Sequence, residues 1–220
     1  AREKYTERHE RRAKEIESWD DATFLNKAKI TRAGKITNAA IILLGREESE
    51  HFLSPAVCVI RWKLIAKEDK NKDFHNFHVP MIKSVEEITT GYIRNNNYVY
   101  TVSGNIFPEN MMRYDVFTLR EPICNAIGHQ DYGMGARIEL LEYEDEKLVI
   151  QNYGQFIPNS VEDVVEKDCP DSRYRNPFLM EAMCNIGMAE TEGGGIRKLF
   201  VQPGQTHQTF YLLTYRYYCC

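Results

Sequence analysis

A carboxylate, an amide and an imidazole stand four residues apart in the stretch REPICNAIGHQDY: Glu121, Asn125 and His129. On a helix advancing ~100° per residue the three fall within a sector of roughly 80°, while Val116, Leu119, Ile123, Ala126 and Ile127 gather near the opposite side. An amphipathic helix usually turns such an edge to water. Asn and His are poorer helix formers, however, and their place in the middle of the helix weakens that expectation without removing it. A carboxylate can accept a proton from water, and an amide oxygen is a hard ligand suited to Mg²⁺, which keeps several of its waters when it binds phosphates. The imidazole could contact a phosphate or a sugar. Together the three suit a nucleotide site in which hydrolysis is assisted by metal and base.

Two further stretches fit the same chemistry. In TEGGGIRKLF, Gly193, Gly194 and Gly195 let the backbone approach a ligand closely, and the helix expected after them presents unsatisfied N–H groups to phosphate. Alone, a glycine triplet is more often a flexible turn, and without a following Gly-Lys-Ser or Gly-Lys-Thr it is not a P-loop. In QNYG, Asn152 and Gly154 close a strand just before a long irregular segment, where a side-chain amide could hydrogen-bond the edge of a base.

The elements that must position these residues are readable from periodicity. Residues 2–18 carry alternating charge and few apolar anchors before Ile16 and Trp19, which predicts a solvated linker helix. A second helix is expected from Asp20 or Asp21 to about Ile30. The run TNAAIILLG ends at Gly45, and AVCVIRW (56–62), DFHNFHV (73–79) and YVYTVS (98–103) read as strands around a helix from Ser84 to about Arg94. His75 and His78, three apart on a strand, point to opposite faces and do not suggest a metal site. Gly104–Pro108 marks a junction between two halves. Beyond it come a helix over about 114–130, strands at 136–143 and 147–152, a helix from Pro177 to Ile186 with Pro at its first position, a short helix from Ile196, and a strand at 209–215. The segment from Tyr153 to Asn176 is long for a connection inside a domain, and such segments commonly serve as lids.

Composition bounds the function. With 220 residues, 43% hydrophobic and 11% aromatic, the chain can build a substantial core. A net charge of −4 argues against a protein that mainly coats phosphate backbones. No apolar run approaches the roughly 18–20 residues that cross a bilayer, and Ala1–Lys14 lacks the apolar centre of a secretory signal. The six cysteines form no CxxC pair and read as reduced thiols. A cytoplasmic protein without a membrane partner is expected, and the absence of an initiator Met suggests an excised fragment.

The order Glu-x-x-x-Asn on a helix, a hairpin ending in polar-x-Gly, a long lid and a glycine-rich turn opening a helix resembles the Bergerat-fold (GHKL) ATPases, the superfamily of gyrase, MutL, the heat-shock chaperone ATPases and histidine kinases. More closely, LREPICNAIGHQDY, VIQNYG, YRNPFLMEAMCNIGMAE and EGGGIRK resemble the C-terminal ATPase module of bacterial RecG-like helicases and transcriptional regulators, where it commonly follows an AlbA-type domain related to the Schlafens. KITNAAIILLG resembles the connecting region before that module. The resemblance spans about residues 33–215 and implies an α+β fold. A helical linker and mixed α/β connecting domain would occupy 1–105. A short Bergerat-type sandwich, helices layered on an antiparallel or mixed sheet, would occupy 106–220. By position, Glu121 matches the acid that polarises attacking water and Asn125 the Mg²⁺ ligand, with His129 beside the nucleotide. Asn152 falls where an Asp reads the adenine amino group, Gly154 is the glycine of that motif, and Gly193–Gly195 match the phosphate-contacting glycines.

Four departures accompany the match. Pro122 stands where Ala is usual, and because proline is comfortable only in a helix's first turn, the helix is expected to begin near Leu119 or Arg120, displacing Glu121. Gly128 replaces an Asp, for which Asp131 could partly substitute. Asn152 replaces the base-reading Asp, and Glu192 brings a carboxylate beside the phosphate glycines. The resemblance thus implies ATP and Mg²⁺ as ligands, slow hydrolysis, and a switch acting on a partner or a second copy in a homodimer, with DNA bound through a domain outside this chain. The alternative is a degenerate, non-hydrolysing module used for interaction or dimerisation in a DNA-binding regulator.

Overall fold

In IRWKLI, Ile60, Trp62 and Leu64 alternate with Arg61 and Lys63, the period of a half-buried strand. In the computed structural model this stretch is β1 (Ile60–Ile65), and its alternate side chains are buried. The structure describes residues 1–66, 70–93, 97–100, 109–112, 116–144, 147–154, 174–189 and 212–216. β1 pairs antiparallel with β2 (Asn71–Phe77) and parallel with β5 (Ile138–Tyr143). β5 pairs antiparallel with β6 (Leu148–Tyr153), which pairs in parallel with β7 (Leu212–Arg216). The result is one mixed five-stranded sheet of order β2-β1-β5-β6-β7, with a separate ribbon of β3 (Asn97–Tyr100) and β4 (Glu109–Met112). The expected α+β class and mixed sheet are therefore present. The boundary drawn at 105–106 does not coincide with an edge of this sheet, which takes strands from both sides of it.

Among the described residues six α-helices precede the long segment: α1 (Arg2–Arg8), α2 (Ala13–Glu17), α3 (Asp21–Lys27), α4 (Asn38–Leu44), α5 (Met81–Glu87) and α6 (Val116–His129). A seventh, α7 (Pro177–Asn185), follows the long segment and begins at its proline as expected. Asp20 caps α3, its carboxylate accepting from the Thr23 amide at 2.8 Å. Thr37 caps α4, turning the run NAAIILL into a helix that buries Ala39, Ile42 and Leu43.

Register and alternation place Ile60, Trp62, Leu64, Ile138, Leu140, Glu142, Leu148, Ile150 and Asn152 on one face of the sheet. All are buried, and the apolar ones share a core with Leu119, Ile123, Ala126 and Ile127 of α6. The buried Glu142 carboxylate accepts from the Trp62 indole N–H at 2.8 Å. On the outer face Lys63 and Glu139 form an ion pair across β1 and β5 at 3.1 Å.

Two expectations are corrected. Helix α6 does not begin at Leu119 or Arg120; it runs from Val116 through Pro122 without a break. An interior proline costs about 3 kcal/mol. Burying four or more apolar side chains of this helix, each contributing about 1.5–3 kcal/mol, outweighs that cost. Nor are residues 2–18 a solvated linker helix. Tyr5, 4% exposed, packs edge-on to Phe24 at 5.6 Å, and Ile16 is buried. The basic side chains that suggested solvation act as clamps: the Arg2 guanidinium donates to Ile16 O, Trp19 O and Asp21, and Arg8 to Cys184 O and Ala189 O.

Arg8 thereby joins the Gly187 amide on Cys184 O at the end of α7 and meets Ala189 O just beyond the helix. Arg8→Ala is expected to lower unfolding free energy by about 1–2 kcal/mol, the scale of charge-assisted bonds from an exposed side chain. The shift of the urea midpoint at unchanged slope measures it.

Candidate functional site

Helix α6 carries the predicted stripe, and the structure gives it a different environment at each end. Glu121 does not face water: it is 6% exposed, and Asn125 Nδ2 donates to its Oε1 at 3.2 Å. Asn125 thus spends its amine on Glu121, leaving its amide oxygen as the group able to ligate. Among the expected inward residues Leu119, Ile123, Ala126 and Ile127 are sealed, but Val116 is 39% exposed.

His129 closes the helix, its ring 5.0 Å from that of Tyr174. Burial lowers its pKa to about 4, the positive charge of Arg175 adding to the effect. The imidazole is therefore neutral at neutral pH and offers hydrogen bonds rather than charge. Arg175 Nε donates to His129 O at 3.2 Å, and its Nη1 lies 3.4 Å from Asp131 Oδ2. Asn176 donates from its backbone N to Gly128 O at 3.1 Å and from Nδ2 to Gly128 O and Gln130 O at 3.1 and 2.8 Å. Three successive carbonyls at the end of α6 are thus capped by the last two residues of the long segment.

The same end is tied to β6. The Asp131 amide donates to Tyr153 O at 2.7 Å, the Tyr153 amide to Gln130 Oε1 at 2.8 Å, and Gln130 Nε2 to Ala136 O at 2.7 Å. Gly154 follows with φ +141°, and a Cβ there would stand 2.9 Å from Arg175 Nε. Glycine is required at this position on both counts. His129, Asp131 and Gly154 are therefore brought together around Arg175. Asn152, two residues earlier on the core face of the sheet, is 2% exposed, and its Nδ2 has no hydrogen-bond partner among the described residues. Buried amides are nearly always satisfied, so an orphaned donor at the position assigned to a base fits an acceptor supplied by a ligand.

Gly128 has a packing reason. A Cβ there would lie 3.0 Å from Met180 Sδ of α7, so any side chain would require the methionine to give way. Asp131 instead turns to Arg175 and to the Gly133 amide at 3.1 Å. Gly193, Gly194, Gly195 and Glu192, and residues 155–173 of the lid, lie outside the described residues. His75 packs against Phe77 and Tyr92, and His78 Nδ1 is 2.8 Å from Glu50 Oε2. No group of three His, Cys, Asp or Glu is placed to hold a metal among the described residues. Nor is any helix there long and apolar enough to cross a membrane.

Sequence reasoning missed Gln130, Tyr174, Arg175 and Asn176. Periodicity could not find them, because Gln130, Arg175 and Asn176 act through backbone groups and Tyr174 through its ring against His129, none of which leaves a periodic mark. The one available signal was Asn176 before Pro177, an N-cap pattern, although the side chain caps the end of α6 and not the start of α7.

Two family models match the chain: residues 1–60 match a domain of unknown function, DUF8451, and residues 135–208 match "Putative ATP-dependent DNA helicase recG C-terminal". The second match supports the RecG-like family and an ATPase-like, nucleotide-binding module over a segment that includes Asn152, Gly154 and Gly193–Gly195 and begins after α6. No curated protein matches. The crystal structure of the DIP2311 protein from Corynebacterium diphtheriae is similar in fold, with a TM-score of 0.65 at 16% sequence identity. The similarity covers 83% of this chain and 36% of that one, so the present chain spans little more than a third of its length.

The His129 environment sets a pH dependence. A folded-state pKa near 4 against an ordinary 6.5 leaves stability untouched above that value and removes it as pH falls from 6.5 through 4, where the unfolded chain takes up the proton first. The loss reaches about 3 kcal/mol. His129→Gln is expected to lose correspondingly less between neutral pH and pH ~4, measured as the difference in urea-unfolding free energies. Gly154→Ala is expected to cost about 1–3 kcal/mol through backbone strain and displacement of Arg175, read from the same assay.

Proposed function

We propose that this chain is an ATP-binding module that holds Mg·ATP between α6 and the β6 end of the sheet, hydrolyses it slowly, and acts as a nucleotide switch in a cytoplasmic DNA-binding transcriptional regulator. The observation that carries the reading is the Glu121–Asn125 pair on a helix whose far end is fastened to β6 beside Gly154. On this reading the carboxylate, the amide oxygen and the orphaned Asn152 donor would serve one ligand.

Asn125 Oδ1 would hold magnesium, which commonly takes one or two protein oxygens and completes its shell with water and phosphate. When bound, the metal would neutralise charge on the phosphate oxygens. Glu121 would accept the proton of the attacking water, and its bond from Asn125 keeps the carboxylate oriented. Asn152 would present both a donor and an acceptor to the base. Neutral His129 would hydrogen-bond the ligand, and Asp131 would anchor Arg175 beside Gly154. Gly193–Gly195 would receive phosphate. Nucleotide would order the Tyr153–Asn176 segment and so alter contacts with a second copy of the chain or another partner, DNA being engaged outside these residues.

A second reading is a module that keeps the fold for interaction or dimerisation without hydrolysis. The burial of Glu121 favours it, because a general base must meet water.

Thermal unfolding with Mg·ATP or Mg·ADP tests the proposal. Ligand at a hundred times its dissociation constant should stabilise by about 2.7 kcal/mol, a rise of roughly 5–10 °C for a domain of this size. Asn125→Ala should abolish most of the rise, and no rise at millimolar nucleotide would sink the reading. If nucleotide binds, an unchanged turnover in Glu121→Gln shows that Glu121 is not the base.

A further inference from the structure

We propose that a cavity at the seam between the Arg32 turn and the start of α7 is a binding site for a small organic monoanion with an apolar body. This site does not depend on the nucleotide reading. The cavity measures about 480 Å³ and is not lined by Glu121, Asn125, His129, Asn152 or Gly154. Its size falls within the roughly 300–1,000 Å³ of small-molecule pockets.

The chemistry of the walls selects the ligand. Arg32 and Arg175 both line the cavity, and no Asp or Glu does. Arg175 is partly committed to Asp131 at 3.4 Å. No carboxylate pairs with the Arg32 guanidinium among the described residues, so the field in the cavity corresponds to about one uncompensated positive charge. That suits a monoanion better than a polyphosphate. Thr37, Asn38 and Asn176 add polar groups to the lining, those of Thr37 and Asn176 already bonded to backbone, while Ile42, Leu53 and Leu179 add apolar surface. A charged group attached to a ring or short hydrocarbon body matches both.

Arg32 is held in place before any ligand arrives. Asn26 Oδ1 accepts from Thr31 Oγ1 at 2.8 Å and from the Gly34 amide at 2.9 Å, and the backbones of Arg32 and Lys35 exchange two hydrogen bonds. The guanidinium lies 5.6 Å over the Phe178 ring at the start of α7. At that distance the ring face attracts the cation and favours its position beside the cavity. Such positioning reduces the ordering cost of binding.

Methyl NMR of the intact chain gives the test, with benzoate as the anion on an apolar body, benzyl alcohol as its neutral counterpart and acetate as charge alone. Millimolar benzoate is expected to shift the methyl signals of Ile42, Leu53 and Leu179 in a saturable way, with benzyl alcohol and acetate binding at least about tenfold more weakly. Arg32→Ala, at an exposed position, should keep the wild-type melting temperature and weaken benzoate about tenfold. The proposal is overturned if those methyls do not move, if benzyl alcohol binds as well as benzoate, or if Arg32→Ala binds benzoate like the wild type. It is also overturned if the side-chain amides of Asn125 and Asn152 shift in place of the methyls, since the anion would then occupy the other site.

Discussion

The open carbonyls at the end of α6 are the constraint on which the local architecture depends. A helix leaves its last carbonyl groups without partners, and leaving one unmet in a buried place costs about 1–3 kcal/mol. Arg175 and Asn176 meet three of them in succession, and the guanidinium also lies at the negative end of the helix dipole. Everything near this junction is arranged around that solution. The arginine passes Gly154, whose φ of +141° already favours glycine, and it sits by His129, where its charge adds to burial in keeping the imidazole neutral. Asp131 balances the charge, and its amide joins the helix end to β6.

Packing, in turn, decides what the stripe can be. The apolar side of α6 is buried deeply enough to carry an interior proline, and that same depth draws Glu121 out of solvent. A helix lying loosely on the sheet would present Glu121 and Asn125 as two solvated groups. Pressed into the core, they meet each other, and the pair becomes a fixed donor–acceptor unit. The glycine at 128 belongs to the same arrangement, because a side chain there would press on Met180 of α7.

The strands were legible in part: Ile138–Tyr143 falls within the stretch expected at 136–143, whereas the strand expected at 56–62 forms at Ile60–Ile65 and Glu109–Met112 was not expected, and Pro177 announced its helix. The polar edge of α6 was also legible, but its burial was not, since a hydrophobic pattern says which side is apolar and not how much of the rest is covered. Tyr5 illustrates the opposite error: a charged segment looked solvated because its arginines were counted as charges, whereas Arg2 and Arg8 act as donors to distant carbonyls. Gln130, Arg175 and Asn176 were invisible for the same reason. Their partners are backbone atoms, which every residue possesses and no sequence pattern marks.

The parallel pairing of β1 with β5 has a consequence for how the molecule can be divided. Ile60 and Ile138 are neighbours in the sheet though 78 positions apart in the chain, counted from their residue numbers. Cutting the chain between the halves would strip β5 of that neighbour and bare a row of unpaired N–H and C=O groups along an apolar strand, the kind of edge that recruits other chains. The sheet is thus common property of the two halves, and a cut between them divides it at its middle.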